Sequence, residues 1–140
     1  MKRKQRGSVK LYKNKTQHLV CTARINGVSA KLLIDTGASS SCLNKTFQEQ
    51  FALEIEGQPF EAAGASEGKM QAIYSKASSL HLGRFNTGKH SFVLLDMSHI
   101  NTTLKNQGAA PIEGILGADF FFERKAQIDY QNRRLYFNRK

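Results

Sequence analysis

The 140-residue chain has no tryptophan, two cysteines and two prolines. Without Trp, and with no interleaving of aromatic and basic residues, it lacks the stacking platform of a single-strand nucleic-acid binder. Cys21 and Cys42 are too few for a disulfide framework and lack metal-ligand spacing. Each stands in an apolar stretch, so buried free thiols in a reducing compartment are expected. The four histidines (18, 81, 90 and 99) never stand four apart with a carboxylate partner. No metal is expected, and no cofactor is called for. Long apolar runs are missing too. Phe92 to Leu95 and Phe120 to Phe122 are the longest clean ones, against the ~20 residues of a membrane-spanning helix. A membrane partner is therefore not expected. Lys2, Arg3, Lys4 and Arg6 open the chain without the apolar stretch of a secretory signal behind them. The expected location is cytoplasmic.

Acidic residues are scarce at both ends. Lys and Arg number 21 against 11 Asp and Glu, a formal charge of +10. Residues 1–15 carry seven basic side chains and residues 133–140 four, with no acid in either. The span 16–132 is left with 10 basic and 11 acidic residues, a net of −1. The excess charge belongs to the ends, which reads as solubilising tails. Nucleic acid is expected to meet nothing more than a nonspecific contact of the basic arm. The expected organisation is a basic arm over residues 1–15 and one domain over 16–140.

A chain of this length buries roughly two thirds of its unfolded surface, enough for a core without staples. From His18 the sequence alternates, with Leu19, Cys21, Ala23 and Ile25 on one face. Asn26-Gly27 is a strong hairpin signal, because both residues accept positive φ. Residues 28–34 return as a strand, and Cys42-Leu43 read as another. Asn44 is positioned to cap a short helix running to Phe51. Residues 59–82 suggest two or three strands, and 91–97 a strand buried on both faces. Residues 98–114 read as loop with one helical turn near Ile100 to Leu104, and 118–123 as a short helix. A second hairpin closes the chain. Phe120, Phe121, Phe122, Tyr130, Tyr136 and Phe137 are expected in core and sheet packing. The pattern is all-β with one or two short helices.

Two segments carry chemistry: LLIDTGASSSCL (32–43) and GILGADFF (114–121). Each is an apolar strand running into a small-residue turn. Asp35 stands where the first strand stops, and Gly37 lets the backbone turn tightly. A carboxylate there, among Ala38 and Ser39 to Ser41, is only partly solvated, as general acid–base work requires. Asp-Thr-Gly alone is also an ordinary turn. Its flanks make it specific. A Gly-containing stretch, AAGASEG (62–68), follows about 30 residues later, and Ile115-Leu116-Gly117 about 80 residues later.

In this order and context the chain resembles a retropepsin-like aspartic peptidase over roughly residues 16–138. The resemblance implies a small closed acid-protease barrel with a flap hairpin. It makes Asp35 the catalytic aspartate. It gives Thr36 a hydrogen bond across a dimer, Gly37 the close approach of substrate and backbone, and Ala38 a place in the same supporting loop. Ile115, Leu116 and Gly117 match the element that packs under that loop. Ala63, Gly64, Ala65, Ser66 and Gly68 fall at the flap. Two carboxylates sharing a proton are needed, and the chain has a single D-T-G; Asp119 follows Ala118 on a helix and makes no second loop. The implied enzyme is thus a homodimer on a two-fold axis, hydrolysing peptides or proteins near apolar residues. Ala38 has no hydroxyl to donate to the carboxylate, so a mildly acidic to neutral optimum is expected. Retroviral members carry Arg where this chain has Ala118, and their termini interleave, whereas both ends here are basic. The alternative reading is a catalytically silent dimerisation or peptide-binding module of the same fold.

Overall fold

The first described residues are already strand: β1 (Arg6–Lys10) and β2 (Tyr12–Lys13). The computed structural model describes residues 6–63 and 69–139 of the chain. Charge assigns 6–15 to an arm, yet Val9 and Leu11 are buried while Lys10 and Lys13 point outward. Alternation, which charge counting ignores, decides this segment.

The Asn26-Gly27 turn forms as expected, with φ of 49° and 85°. It joins β3 (Leu19–Ile25) to β4 (Val28–Ile34) in an antiparallel hairpin. After β5 (Cys42–Asn44) the expected helix shrinks to a 3-10 turn, Lys45–Phe47. Asn44 does not cap it; its side-chain oxygen accepts from the Met97 N–H instead, at 3.3 Å. A long hairpin follows, β6 (Glu54–Ala63) against β7 (Lys69–Ala77), with a bulge between Glu56 and Phe60 that accommodates Pro59. Strands β8 (Leu80–Leu82), β9 (Phe85–Asn86) and β10 (His90–Leu95) complete the middle of the chain.

Residues 98–114 hold more order than expected. Helix α1 spans Ser98–Asn106, with Leu104 buried. Its fixing contacts are distant: the Asn101 side chain exchanges two hydrogen bonds with the backbone of Ile112, at 3.0 and 2.9 Å. Then come β11 (Gly114–Leu116), α2 (Ala118–Glu123), β12 (Gln127–Asp129) and β13 (Arg134–Asn138), the last two forming the expected hairpin.

The strands form two sheets. One runs β1-β13-β12; the other runs β6-β7-β10-β5-β11-β4-β3-β8-β9, with β2 on β3. The expected closed barrel is not formed among the described residues, because no ladder joins β6 to β9. Side chains fill the space between the two sheets at one end: Phe85 of β9 meets Phe137 of β13 edge to face at 6.2 Å. A side chain on Gly7 would collide with both rings, at 2.8 Å.

Strand β4 is sandwiched. Leu32 and Ile34 enter the main core with Leu43, Phe92, Leu116 and Phe120. Leu33 points the other way, into a second cluster with Met97, Leu104, Ala109 and Ile112 under α1. Burying each such side chain contributes about 1.5–3 kcal/mol, so the strand that delivers Asp35 is held from both faces. Phe120 and Phe137 are core as expected, but Phe122 and Tyr130 are 85% and 74% exposed. The helical turn that buries Phe120 sends Phe122 outward. Among the described residues no helix is long and apolar enough to cross a membrane.

Candidate active site

Asp35 is half-buried at the end of β4. Its carboxylate accepts the Gly37 N–H at 2.9 Å, and its carbonyl the Ala38 N–H at 3.2 Å, a tight turn closed by its own side chain. A Cβ on Gly37 would stand 3.3 Å from the Asp35 carboxylate oxygen. Thr36 is exposed beside it.

Ile115 and Leu116 stand in β11, and Gly117 directly follows it. β11 pairs parallel to β4 and antiparallel to β5, and so lies between the two strands that the loop connects. The Asp35 N–H donates to the Leu116 carbonyl at 3.1 Å, and the Ala118 N–H to the Ala38 carbonyl at 2.7 Å. Gly117 has to be glycine for this approach, since a Cβ would lie 2.7 Å from the Ala38 carbonyl oxygen and 3.0 Å from Ser40. Gly114 is as closely packed against Cys42 and Leu43.

Beneath the loop lies a polar cluster that motif reading misses. The Asp119 carboxylate accepts from the Ser41 N–H at 3.0 Å and from the Ser41 hydroxyl at 2.8 Å. The Ser41 oxygen accepts the Gly117 N–H at 3.0 Å. His90, buried against Phe92 and Phe120, reaches both partners with Nε2: Asp119 at 3.4 Å and Ser41 at 3.2 Å. Serine, histidine and aspartate together suggest a nucleophilic triad, but one ring nitrogen serves both contacts and the Ser41 hydroxyl is spent on the carboxylate. The cluster is a strut. Burial pushes the Asp119 carboxyl up, and the hydrogen bonds from His90 and Ser41 outweigh it, holding the group down at about 2. The sequence signal was an acid two residues past Ile-Leu-Gly, in the first turn of a helix; its partners lie 78 and 29 positions away.

Cys42 adjoins the loop, and burial, then the charges of Asp119 and Asp35, push its thiol up to about 11. Burial pushes Cys21 up to about 12. Neither is poised as a nucleophile. Among the described residues no group of three or more His, Cys, Asp or Glu side chains is placed to hold a metal.

Two hollows flank the loop. One of about 420 Å³ has Asp35 in its lining, with Leu33, Ile112 and Ile115 as floor and α1 as a wall. The other, about 490 Å³, is bordered by Thr36 and by Phe121 and Phe122 of α2. The hairpin β6–β7 carries Phe60 stacked on Tyr74 at 4.7 Å. Ala63 and Lys69 pair at the end of its ladder. The expected flap positions Gly64, Ala65, Ser66 and Gly68 lie outside the described residues.

A family model described as aspartyl protease matches residues 21–120, a span that includes both the Asp35 loop and the strut. The chain belongs to the aspartyl protease family. No curated protein matches it in sequence. Solved structures show which branch of aspartyl protease folds it shares. A retropepsin-like aspartic protease from Rickettsia conorii superposes with a TM-score of 0.59 at 20% identity, over 95% of this chain and 91% of that one. The retroviral protease-like domain of Ddi1 from Leishmania major gives 0.58 at 17% identity, over 84% and 86%. EIAV protease, in complex with the inhibitor HBY-793, gives 0.50 at 18% identity, over 74% and 85%. This family member therefore has the retropepsin-like, mostly-β fold.

Proposed function

We propose that the chain is an aspartic endopeptidase whose active site is completed by a second copy of itself. Each protomer supplies one Asp35 at a two-fold axis, and the two carboxylates share one proton. The ionised carboxylate takes a proton from water as the water oxygen bonds to the scissile carbonyl carbon, while the protonated one donates to the carbonyl oxygen. Collapse of the resulting diol breaks the C–N bond, and the departing nitrogen takes up a proton. Thr36, Gly37 and Ala38 support the loop, Ile115 to Gly117 brace it, and the β6–β7 hairpin closes over a bound peptide. The preferred substrates have apolar residues beside the scissile bond. The working range is mildly acidic to neutral. A cytoplasmic site of action belongs to this reading, since both cysteines are free.

The observation that carries the proposal is Asp35 itself. A single carboxylate stands at the end of a doubly buried strand, in a turn braced by β11, in a chain of the aspartyl protease family. The amide oxygen of an asparagine would close the same turn, so the scaffold does not require an acid at this position. Cleavage of a diverse peptide library from about pH 4 to 7.5 tests it, comparing wild type with Asp35→Asn. The expected result is loss of all wild-type cuts, by about 10³-fold or more. Equal cleavage by both proteins would overturn the assignment of Asp35. Absence of cleavage by either would favour the silent binding module.

A further inference from the structure

We infer that the outward face of the three-stranded sheet is a docking surface for single-stranded nucleic acid, with Tyr136 as the ring on which a base stacks. The proposal does not depend on the peptidase reading. Along the sequence, aromatic and basic residues are not interleaved; the register of β1 on β13 interleaves them in space. Val9, Leu135 and Phe137 turn into the core. Alternation therefore sends Arg6, Ser8 and Lys10 to the other face, with Arg134, Tyr136 and Asn138. Three rows result: Arg6 beside Asn138, Ser8 beside Tyr136 and then Gln127, and Lys10 beside Arg134 and then Asp129. Tyr136, half-buried, stands at the centre. At one end a hollow of about 500 Å³ is lined by Arg6, Gly7, Ser8, Phe85, Gln127 and Tyr136. The Arg84 and Arg139 guanidiniums stand 5.1 and 5.4 Å from the centre of the Phe85 ring. At the other end Tyr130 and Tyr12 are exposed, with Lys10 Nζ 5.1 Å from the centre of the Tyr12 ring.

The charge on this face is of one sign. Its three strands and the turn between β12 and β13 carry Arg6, Lys10, Arg133 and Arg134 against a single acid, Asp129. On the flanks Arg84, Arg124, Lys125 and Arg139 stand with one more acid, Glu123. In the sequence Lys2, Arg3 and Lys4 lead into β1, and Lys140 follows Arg139. Asp129 is already engaged, since its two oxygens accept from the Asn132 N–H and side-chain amide, both at 2.9 Å. The guanidiniums are held by neutral oxygens. Arg6 donates to the Asn138 and Gln127 side chains at 2.8 and 2.9 Å, and Arg134 to the Ser8 hydroxyl at 2.8 Å. These bonds fix both charges across the sheet without neutralising them, which cuts the entropy lost when a phosphate binds. Lys10 stands directly opposite Arg134, a like-charge pair that costs stability in a sheet. An anion laid over that row turns the repulsion into attraction. Charge alone would suit an anionic membrane or an acidic protein. The rings among the cations favour bases, and a single strand in particular, because a duplex keeps its bases stacked on one another. Stacking and phosphate contacts read no sugar, so RNA and DNA both fit.

The test uses the full chain and a fluorescent mixed-sequence oligonucleotide of about a dozen nucleotides, read by anisotropy. The single strand is expected to bind roughly tenfold or more tightly than the duplex of the same sequence. A purely electrostatic surface would favour the duplex, whose charge density is higher. Tyr136→Ala should weaken single-strand binding roughly five- to hundredfold, while Tyr136→Phe, which keeps the ring, should leave it unchanged. Arg6→Gln with Arg134→Gln removes two phosphate contacts, and should lower the slope of log affinity against log salt by about 1.4. Deletion of residues 2–4 should weaken binding and leave the preference for single strands in place. Urea unfolding reports whether each variant is folded; Tyr136→Leu, apolar but without a ring, replaces Tyr136→Ala if that variant is not. Duplex bound as tightly as the single strand would overturn the proposal. So would a folded variant without the ring that binds as well as wild type. Binding that vanishes with residues 2–4 would assign it to the arm and overturn the sheet face. Absence of binding at low salt, or equal binding to phosphatidylserine vesicles, would do the same.

Discussion

Asp119 shows how much a single residue outside the motif can carry. Its carboxylate holds Ser41, and Ser41 holds the Gly117 N–H, so one half-buried acid ties the Ser41 end of the Asp35 loop to Gly117 and α2. A carboxyl held at about 2 in the fold, against an ordinary 3.8, contributes stability that is fully present above pH 4. That contribution fades as pH falls through about 2. The shift corresponds to about 2 kcal/mol, and partial exposure reduces it to on the order of 1–2. Asp119→Asn is therefore expected to destabilise the protein by roughly that amount at pH 6, read by urea unfolding. The gap between wild type and variant should shrink between pH 4 and 2. A gap that stays constant over that range would show that the charge on Asp119 is not what holds the loop. The strut thus survives throughout the acid range in which an aspartic dyad works.

At the scale of elements, the departures from expectation share a cause. Helix α1 looks like loop in the sequence because its apolar positions are few and no acid marks its first turn. It forms because Leu104 closes over Leu33, Met97 and Ile112, and because Asn101 clasps Ile112. This small cluster also backs β4 on the face opposite the main core. Leu104→Ala should cost about 2–4 kcal/mol in urea unfolding, the range for a buried leucine with partial collapse. A cost below about 1 kcal/mol would mean that α1 is held by its polar clasp alone. Asn44 illustrates the converse, a good local cap diverted to a distant backbone N–H at Met97. Local propensity lost in both places to a partner more than forty residues away or to a shared core.

For the whole molecule, the proposed mechanism makes a chain with one D-T-G loop half a site. The terminal strands β1 and β13 pair with each other inside one protomer, Arg6 opposite Asn138 and Lys10 opposite Arg134. The strands nearest the two basic ends are therefore paired within the chain. The homodimer of the proposed mechanism makes a kinetic prediction. Below the dissociation constant, specific activity should fall in proportion to protein concentration, while sedimentation shows monomer over the same range. Specific activity that stays constant where sedimentation shows only monomer would rule out a site shared between two copies.

Much of this was legible in the sequence, for reasons that are local. Alternation of side chains placed β3, a continuous apolar run placed β10, Asn26-Gly27 fixed a turn that few other pairs tolerate, and the order of D-T-G, a Gly-containing stretch and Ile-Leu-Gly pointed to one family. Those signals survive without a fold because they arise from φ preferences and a period of two. Tertiary structure decided the rest. The bond from His90 to Asp119, the sharing of Leu33 between α1 and β4 and the open path of the large sheet are all meetings of distant residues. A chain carries no local mark of such meetings, because their free energy comes from burial and hydrogen bonds that exist only once the strands have packed.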